Sequence, residues 1–411
     1  MLTHQKSERG QALILLVLGI MGLIGMTALA VDGGNAFLDR RQAQNASDTA
    51  ALAAALAKVR GQNWNSAALS RASNNGYDNN GTSNTVQLYN PPINGPYAGN
   101  GEYIQAVITS HVKTFFGAVI GQNQITNRVD AIARAKPAVV EQMLSGNAMA
   151  SLMPESDCLN HKAFYAHGEG SATVTGGNVF INSSNPTCAL IQRGNGSIDV
   201  IGGEIVTIVG GASVQKPELI TPFPPVTGAI PFPYPPPIIF PKPFCSQPAI
   251  QSENEMSPGN FEGDFPPSGV EKLQPGLYCI HHGDFIVNGN TKLSGDHVMI
   301  FVKSGAVHFN GGATINLKAP TSGPFKGLLL YLPIENTNKV VLNGNADSAF
   351  RGTILAPGAE IHLNGNGSSY GYHSQIIGYQ IDMSGNENMH VTYEDDQNYD
   401  AMLPPQVELT K

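Results

Sequence analysis

The chain of 411 residues is long enough for two or three domains. Its net charge is −8 and only 13% of its residues are charged, so it lacks the basic surface that nucleic-acid binding requires. Hydrophobic residues make up 41%, and Gly (46) and Pro (28) are abundant, which indicates a folded, strand-rich chain with uncharged turns and excludes a mainly disordered one.

The first predicted element is a membrane span at Ala12–Val31, twenty residues without a charge. A helix of this length rises ~1.5 Å per residue and crosses the ~30 Å core of a bilayer. Basic residues precede it and Asp32 follows it, so the positive-inside rule predicts a cytoplasmic stub at 1–10, a membrane helix at 11–31 and the bulk of the chain outside the cytoplasm, at the cell surface or in the periplasm. Cleavage as a signal peptide after Ala28-Leu29-Ala30, or as a prepilin after Gly10, is the alternative to a retained anchor.

The segment 32–140 is predicted to form a helix and a small α/β domain. Asp32-Gly33-Gly34 is expected to break the helix at the membrane exit. A second helix is then expected at Asn35–Lys58, because alanines recur on one of its faces at steps of three, four and seven. The remaining predicted elements are a strand at Tyr103–Val112, a short helix at Lys113–Gln122 and a strand at Ile125–Ala135.

This amino-terminal pattern resembles a known module. Its features are Arg9-Gly10-Gln11-Ala12 before the span, an alanine-rich run at 50–55, and the motif residues Asp32, Gly33, Arg40, Arg41, Gln44 and Asp48. Over about the first 135 residues the chain is similar to the TadE/TadG-like proteins of Flp/Tad pilus assembly. The resemblance implies a pilin-like domain, structural rather than catalytic motif residues, and pilus subunits or other envelope proteins as partners.

Short apolar strands separated by Gly-rich turns dominate the chain from Ser151 onward. Four Asn-Gly pairs and one Ser-Gly pair in this region are separated by 22, 33, 21 and 20 residues. If each pair is the corner of a repeating coil, this spacing indicates a solenoid with coils of about 20–22 residues. An α+β chain is therefore expected whose segment 271–395 is a parallel β-helix, with stacked Asn side chains bonded from coil to coil. An antiparallel β-sandwich with Asn-Gly hairpins is the alternative. The corners are Asn288-Gly289, Asn310-Gly311, Asn343-Gly344, Asn364-Gly365 and Ser384-Gly385.

Further β structure precedes and follows a proline-rich segment. A first β block is expected at 141–215, a strap or linker at 216–270, and a loose tail at 396–411, with the acidic stretch Glu394–Asp396 capping the last coil. The β segments loosely resemble β-helical regions attached to some Tad-type and PilX-type pilus proteins. Four cysteines in an exported region suggest disulfides in one of three pairings: Cys158, Cys188, Cys245 and Cys279.

Catalysis is not expected. Acids that a polysaccharide-active β-helix would need in a cluster are expected on different coils. No metal site or cofactor is predicted either. The sequence therefore predicts a membrane-anchored structural or adhesive protein associated with Flp/Tad pili, with glycans or a host surface as further partners. A polysaccharide-active enzyme and a self-associating envelope scaffold are the alternatives. The acids considered are Asp284, Asp296, Glu360 and Asp382, with Arg351 as the basic partner.

Overall fold

A computed structural model describes residues 9–144, 146–343, 347–364, 371–385 and 388–410. Two of the expected corner residues, Gly344 and Gly365, lie outside these ranges. The chain forms two compact units. The first unit contains the chain up to Val139 together with the carboxy-terminal segment from Pro404, and the second contains Val140–Leu403.

The first unit is an antiparallel sheet with two helices. Its elements are α1 (Arg9–Val59), α2 (Trp64–Asn74), β1 (Asn84–Tyr89), β2 (Tyr103–Lys113) and β3 (Gln124–Lys136). A single 3₁₀ turn at Gly117–Ile120 lies between β2 and β3. The last strand of this unit, Gln406–Leu409, pairs with β3, so the carboxy-terminal segment is not the loose tail that was expected. The order in the sheet is β1, β2, β3 and this last strand.

The predicted helix break at Asp32-Gly33-Gly34 is wrong, because α1 is one helix of 51 residues. Each glycine inside a helix costs only about 1 kcal/mol relative to alanine. Extending an existing helix needs no new nucleation, whereas starting a second helix requires it. Ala36 is already buried one turn after Asp32, so packing holds the helix on the far side of the glycines. The predicted membrane segment and the alanine-faced segment are therefore parts of one continuous helix.

The alanine face of α1 packs on its own domain. Ala43, Ala46 and Ala50 have no exposed surface and lie in one core with residues of α2, β2 and β3. The Ser47 hydroxyl on the same face donates a 2.8 Å hydrogen bond to the carbonyl of Ala106 in β2. Small side chains allow this close approach of helix and sheet. The sheet of the same unit therefore covers the alanine face.

The second unit is a solenoid of short strands, most of which pair in parallel with the coil above and the coil below. Its strands are β4 (Val139–Gln142), β5 (Asn147–Ser151), β6 (Phe164–Ala166), β7 (Ser171–Thr175), β8 (Asn178–Ile181), β9 (Leu190–Gln192), β10 (Ser197–Ile201), β11 (Val206–Ile208), β12 (Ala212–Val214), β13 (Ile220–Thr221), β14 (Val226–Thr227), β15 (Gln251–Ser252), β16 (Glu255–Met256), β17 (Gly259–Glu262), β18 (Lys272–Leu273), β19 (Gly276–His282), β20 (Phe285–Val287), β21 (Lys292–Gly295), β22 (Val298–Val302), β23 (Val307–Phe309), β24 (Thr314–Lys318), β25 (Leu328–Tyr331), β26 (Val340–Leu342), β27 (Ala349–Arg351), β28 (Thr353–Asn364), β29 (Tyr372–His373), β30 (Ile376–Ser384), β31 (Asn388–Thr392) and β32 (Asp400–Leu403).

Apart from β4 and β32, which pair with each other, these strands form three stacks. The first stack runs β14-β11-β8-β5-β30-β28-β25-β22-β19-β17, and the third runs β13-β10-β7-β31-β29-β27-β24-β21-β18-β16-β15. The second stack contains β12, β9, β6, β26, β23 and β20, together with the carboxy-terminal halves of the long strands β28 and β30. Successive coils pair in parallel, for example Ile354 with Ile376. The fold is the expected parallel β-helix, and the β-sandwich alternative is wrong.

The order of the coils differs from the order of the chain. The two predicted β blocks form one solenoid, because β5 pairs with β30 and β7 pairs with β31. The last coil in sequence therefore lies inside the stack, and Glu394–Asp396 does not cap an end of it. The coils at the two ends contain β12–β14 and β15–β17. The 33-residue corner interval is one coil that carries two loops, at 319–327 and 332–339.

The proline-rich segment returns the chain along the solenoid. The predicted strap or linker at 216–270 includes coil strands at both ends, and residues 228–250 connect β14 at one end of the first stack to the coil of β17 at the other. This strap lies over the outer face of the first stack, where Phe180, Phe301 and Leu355 are buried. Its contacts, in the order of the stack, are Phe232 with Asn182 (2.7 and 2.8 Å), the Tyr234 hydroxyl with the Pro357 carbonyl (3.2 Å) and Cys245 with Cys279.

Candidate functional site

The amino-terminal part of α1 is long and apolar enough to cross a membrane. Its side chains are exposed in the isolated chain: Leu13 is 65% exposed, Leu23 66% and Leu29 79%. In water this apolar surface would need a partner protein to cover it, whereas a bilayer covers it without one. The predicted anchor ends, Ala12 and Val31, lie inside this continuous helix.

Asp32, the first charged residue after the predicted span, is buried by a loop of the first unit. Its carboxylate accepts hydrogen bonds from the backbone N–H groups of Phe115 (3.0 Å), Phe116 (3.0 Å) and Gly117 (2.7 Å). The hydrogen bond from Phe115, together with those from the next two residues, lowers the pKa of Asp32 below its ordinary value. Successive N–H groups of this kind form an anion-binding nest.

The other motif residues of α1 divide between structure and solvent. Gln44 donates to the Asp48 carboxylate (2.7 Å) and to the Asp130 carbonyl on β3 (3.2 Å), so it ties the helix to the sheet. Arg40 and Arg41 are exposed on the opposite side. A Cβ at Gly33 would meet nothing within 4 Å, so close packing does not require glycine there.

The four cysteines form two disulfides, Cys158–Cys188 and Cys245–Cys279, and both lie in the second unit. The first disulfide joins the loop before β6 to the loop before β9. The second fixes the strap to β19, which is part of the first stack. Since the chain at Cys245 contributes no long strand to a coil, this covalent bond anchors the end of the strap.

The predicted corner residues that the structure describes line one edge of the solenoid, between the second and third stacks. The Asn310 amide donates to the Asn288 side-chain oxygen at 3.2 Å, one coil away. The Ser384 hydroxyl donates to the Asn364 side-chain oxygen at 2.8 Å. Gly385 accepts from the N–H of Glu169 at 3.2 Å, so the row continues into the first block. Asn343 follows β26 at the same edge, and Gly289 and Gly311 occupy successive corners.

A polar cluster lies on the outer face of the second stack. His362 on β28 is registered opposite Asp382 on β30, and Asp382 is registered opposite Tyr165 on β6. The Nε2 atom of His167 lies 2.9 Å from Oδ1 of Asp382, and the Nζ atom of Lys339 lies 2.8 Å from Oε1 of Glu360. We call Glu360, His362, Asp382, His167 and Lys339 the acid–histidine cluster.

The cluster brings together acids that the sequence was expected to keep apart. One donor atom each from Glu360, His362 and Asp382 lies within 4.8 Å of the others, so these three residues could hold a divalent cation. Burial lowers the pKa of His362, which leaves its imidazole neutral and able to coordinate. Lys339 competes with a metal, since its ammonium already neutralises Glu360.

Sequence reasoning missed this cluster, although the sequence carries a signal for it. Alternate residues on a strand share a face, so Glu360 and His362 point the same way. His362 and Ser384 are 22 residues apart, which is one coil, and their side chains make a 2.7 Å hydrogen bond. Placing the candidate acids on the coil period would have brought Glu360 and Asp382 together. Asp284 and Asp296 are elsewhere: the first accepts from the N–H of Ala306, and the second pairs with Lys318.

Comparison with known proteins adds one match. Residues 10–57 match a family model described as putative Flp pilus-assembly TadE/G-like. The matched segment corresponds to α1 and confirms the resemblance for the amino-terminal module. It does not extend into the solenoid. No curated protein matches the chain. No solved structure matches it either.

Proposed function

We propose that this chain is a membrane-anchored structural component associated with Flp/Tad pilus assembly, and that its solenoid binds partners outside the cytoplasm through its surface. The observation that carries the proposal is that the family match and the exposed apolar helix coincide in α1. The first half of the matched segment exposes apolar side chains that a bilayer would cover, and the second half packs its alanine face on the sheet of the first unit.

The third stack offers the binding face. The strap covers the first stack, whereas outward residues of the third stack are polar and exposed in successive coils. Ser294 is registered opposite Asn316, and Lys318 opposite Arg351. In the other half of the solenoid His390 is registered opposite Thr173. A flat row of hydroxyl, amide and basic groups suits a glycan or a polar protein surface. Adhesion by this face is part of the proposal.

Localisation on cells tests the pilus association. Antibody against residues 271–395 with immunogold electron microscopy is expected to label filaments, and the label is expected to remain on sheared pili. A matched strain in which Ala12–Val31 is replaced by a cleavable signal peptide should release the protein and lose the label. Label confined to the cell body, and unchanged after pili are removed, would contradict a role as a pilus subunit and leave an anchored surface protein.

A polysaccharide-active enzyme is the second candidate, favoured by the proximity of Glu360 and Asp382, whose carboxylate oxygens lie within 4.8 Å of each other. Glycosidases use two carboxyl groups about 5 Å apart or more. Here Lys339 and His167 pair with these carboxylates, so we propose that the cluster is structural. The test is glycan hydrolysis by the purified chain beside its Glu360→Gln and Asp382→Asn variants. Cleavage by the unsubstituted chain that both variants abolish would favour the enzyme.

A further inference from the structure

The geometry of the first unit points to a second membrane contact. We propose that the loop at Thr114–Asn123, between β2 and β3, inserts its apolar side chains into the lipid–water interface beside the span. We call it the interface loop. The proposal rests on the proposed membrane anchoring, and it adds a lipid-binding surface to the folded domain. Anchoring would then involve both the helix and the domain.

The position of the loop relative to the span is fixed by Asp32. Three backbone N–H groups of the interface loop bind this carboxylate, which directly follows the last residue of the span, Val31. A Cβ on Gly117 would lie 3.3 Å from the Asp32 carboxylate and 3.1 Å from the carbonyl of Gln122, which shows how closely the loop is folded over the helix. A bilayer that ends near Val31 therefore meets this loop first.

The direction of the helix along the sheet supports the same placement. From Asp32 onward α1 runs antiparallel to β2: Asp39 accepts from Ser110, Ser47 donates to Ala106, and Lys58 donates to Gly101. Over these contacts the helix moves steadily away from the span. The loop between β1 and β2, which contains Ile93, is consequently at the opposite end of a strand about 36 Å long.

The composition of the interface loop suits lipid. Residues 114–123 carry no charge. Phe115 is 71% exposed, Val119 70% and Phe116 36%, although ordinary surface loops are polar. Aromatic side chains are enriched at the level of lipid headgroups. Lys113, which precedes the loop, is exposed and would lie among the lipid phosphates.

Exposed apolar side chains also continue along α1 beyond the span. Phe37 and Leu38 are each 61% exposed, and they lie about 8 Å beyond Asp32 along the helix axis. The headgroup region on one side of a bilayer is about that thick. Exposed apolar surface on α1 therefore extends without a break from the span through one interfacial layer. This continuity favours lipid as the occupant over a second copy of the chain.

Depth-dependent quenching of tryptophan fluorescence tests the proposal. The full chain has one tryptophan, so Trp64→Phe gives a background in which Phe115→Trp reports on the loop. Leu23→Trp reports on the span, and Ile93→Trp, at a 56% exposed site, is the matched control on the far loop. Each protein is reconstituted into vesicles of phosphatidylcholine and phosphatidylglycerol that contain phosphatidylcholine brominated at a shallow or a deep acyl position.

We expect the tryptophan at position 115 to emit at shorter wavelength than the control tryptophan at position 93, and to be quenched most by shallow bromines. The tryptophan at position 23 should be quenched most by deep bromines, and that at position 93 by neither. Quenching at position 23 without quenching at position 115 would overturn the interface loop and leave the anchor intact. No quenching at position 23 would overturn the anchoring proposal itself, and this inference with it. A blue shift at position 115 that depends on protein concentration and not on bromine would show contact with a second copy and would also overturn it.

Discussion

Ile377 and Ala150 are registered opposite each other in neighbouring parallel strands, although the strap and most of the coil strands separate them in sequence. The pair marks a seam at which the last coils of the chain join its first ones. On one side of the seam the stack continues through β28 and β25, and on the other through β8 and β11. Because each coil is stabilised by its neighbours, the two β blocks depend on each other across this seam.

The seam predicts cooperative unfolding of both blocks. Phe164 is fully buried in β6 and is registered opposite Ile381 in β30. Phe164→Ala should lower the free energy of unfolding by about 3–5 kcal/mol. Hydrogen exchange should show protection lost together in β6 and β30. The matched control is Leu409→Ala in the first unit, at a 40% exposed site, which should leave exchange in the solenoid unchanged. Loss of protection confined to β5–β9 would contradict the seam.

The two disulfides should restrain different segments: Cys245–Cys279 the strap, and Cys158–Cys188 the loops before β6 and β9. Cys245–Cys279 closes a separation of 34 residues and Cys158–Cys188 one of 30. Replacing either pair by alanine should therefore cost a similar 2–4 kcal/mol of unfolding free energy. Only the loss of Cys245–Cys279 should speed hydrogen exchange across the strap, residues 228–250. Urea unfolding and exchange of the two double variants test this. Equal exchange of the strap in both would show that packing alone holds it.

The Asp32 carboxylate should order the interface loop. Asp32→Asn removes the charge that the N–H groups of Phe115, Phe116 and Gly117 share. Hydrogen bonds to charged groups are stronger than neutral ones, so these amides should exchange about tenfold faster in the variant. Asp48→Asn on the same helix is the control, and it should leave this loop unaffected. Unchanged exchange in Asp32→Asn would mean that the loop holds its shape without the carboxylate.

Stability should fall in acid because of His362. Burial lowers its pKa, with Lys339 and His167 acting in the same direction and Asp382 and Glu360 against it. The unfolded chain takes up the proton near its ordinary pKa of about 6.5, before the folded chain does. This contribution to stability is thus complete above pH of about 6.5 and is lost as pH falls through the lower folded-state pKa.

Urea midpoints at pH of about 7.5 and about 5 measure the effect. His362→Gln should show a smaller loss between the two than the unsubstituted chain. His308→Gln, at an exposed site on β23, should match the unsubstituted chain. Equal losses in all three proteins would assign the acid sensitivity to other groups.

Zinc binding should be limited by Lys339. Removing its ammonium leaves the Glu360 carboxylate uncompensated beside His362 and Asp382, so Lys339→Met should bind Zn²⁺ more tightly than the unsubstituted chain. Calorimetric titration with zinc measures both affinities. Lys318→Met, which breaks the pair with Asp296, is the control. If Lys339→Met binds no better than this control, the three donors do not form a metal site.

The sequence was informative where structure follows local pattern. Strand alternation predicted β2 and β3, and the spacing of Asn288, Asn310 and Asn364 predicted the coil. The helix break failed because Asp32 and the two glycines were judged by intrinsic preference, whereas contacts with Phe115 and the sheet decide the outcome. Tertiary packing commonly overrides propensity in this way.

The coil order and the acid–histidine cluster could not be predicted from local sequence pattern. Pairing of β30 with β5 depends on where the strap carries the chain, and a proline-rich segment shows no periodicity that would reveal its path. Four acids scattered in sequence looked unrelated until the coil period placed Asp382 over His362. Both misses concern contacts between coils: the coil period determines the approach of Asp382 to His362, whereas the path of the strap determines the pairing of β30 with β5.

The position of the strand Gln406–Leu409 makes the folding of the first unit depend on the order in which the chain is synthesised. It occupies the edge of the sheet beside β3 in the first unit, yet it is made after the whole solenoid. In a polypeptide whose segments beyond the span leave the cytoplasm in chain order, as the proposed anchoring implies, the first unit lacks this strand until the solenoid has been translocated. Until then β3 has an open edge, at which unfinished chains can pair with one another. A chain cut short within the solenoid would keep that edge, so the sheet of the first unit is completed only by a chain that includes the segment after the solenoid.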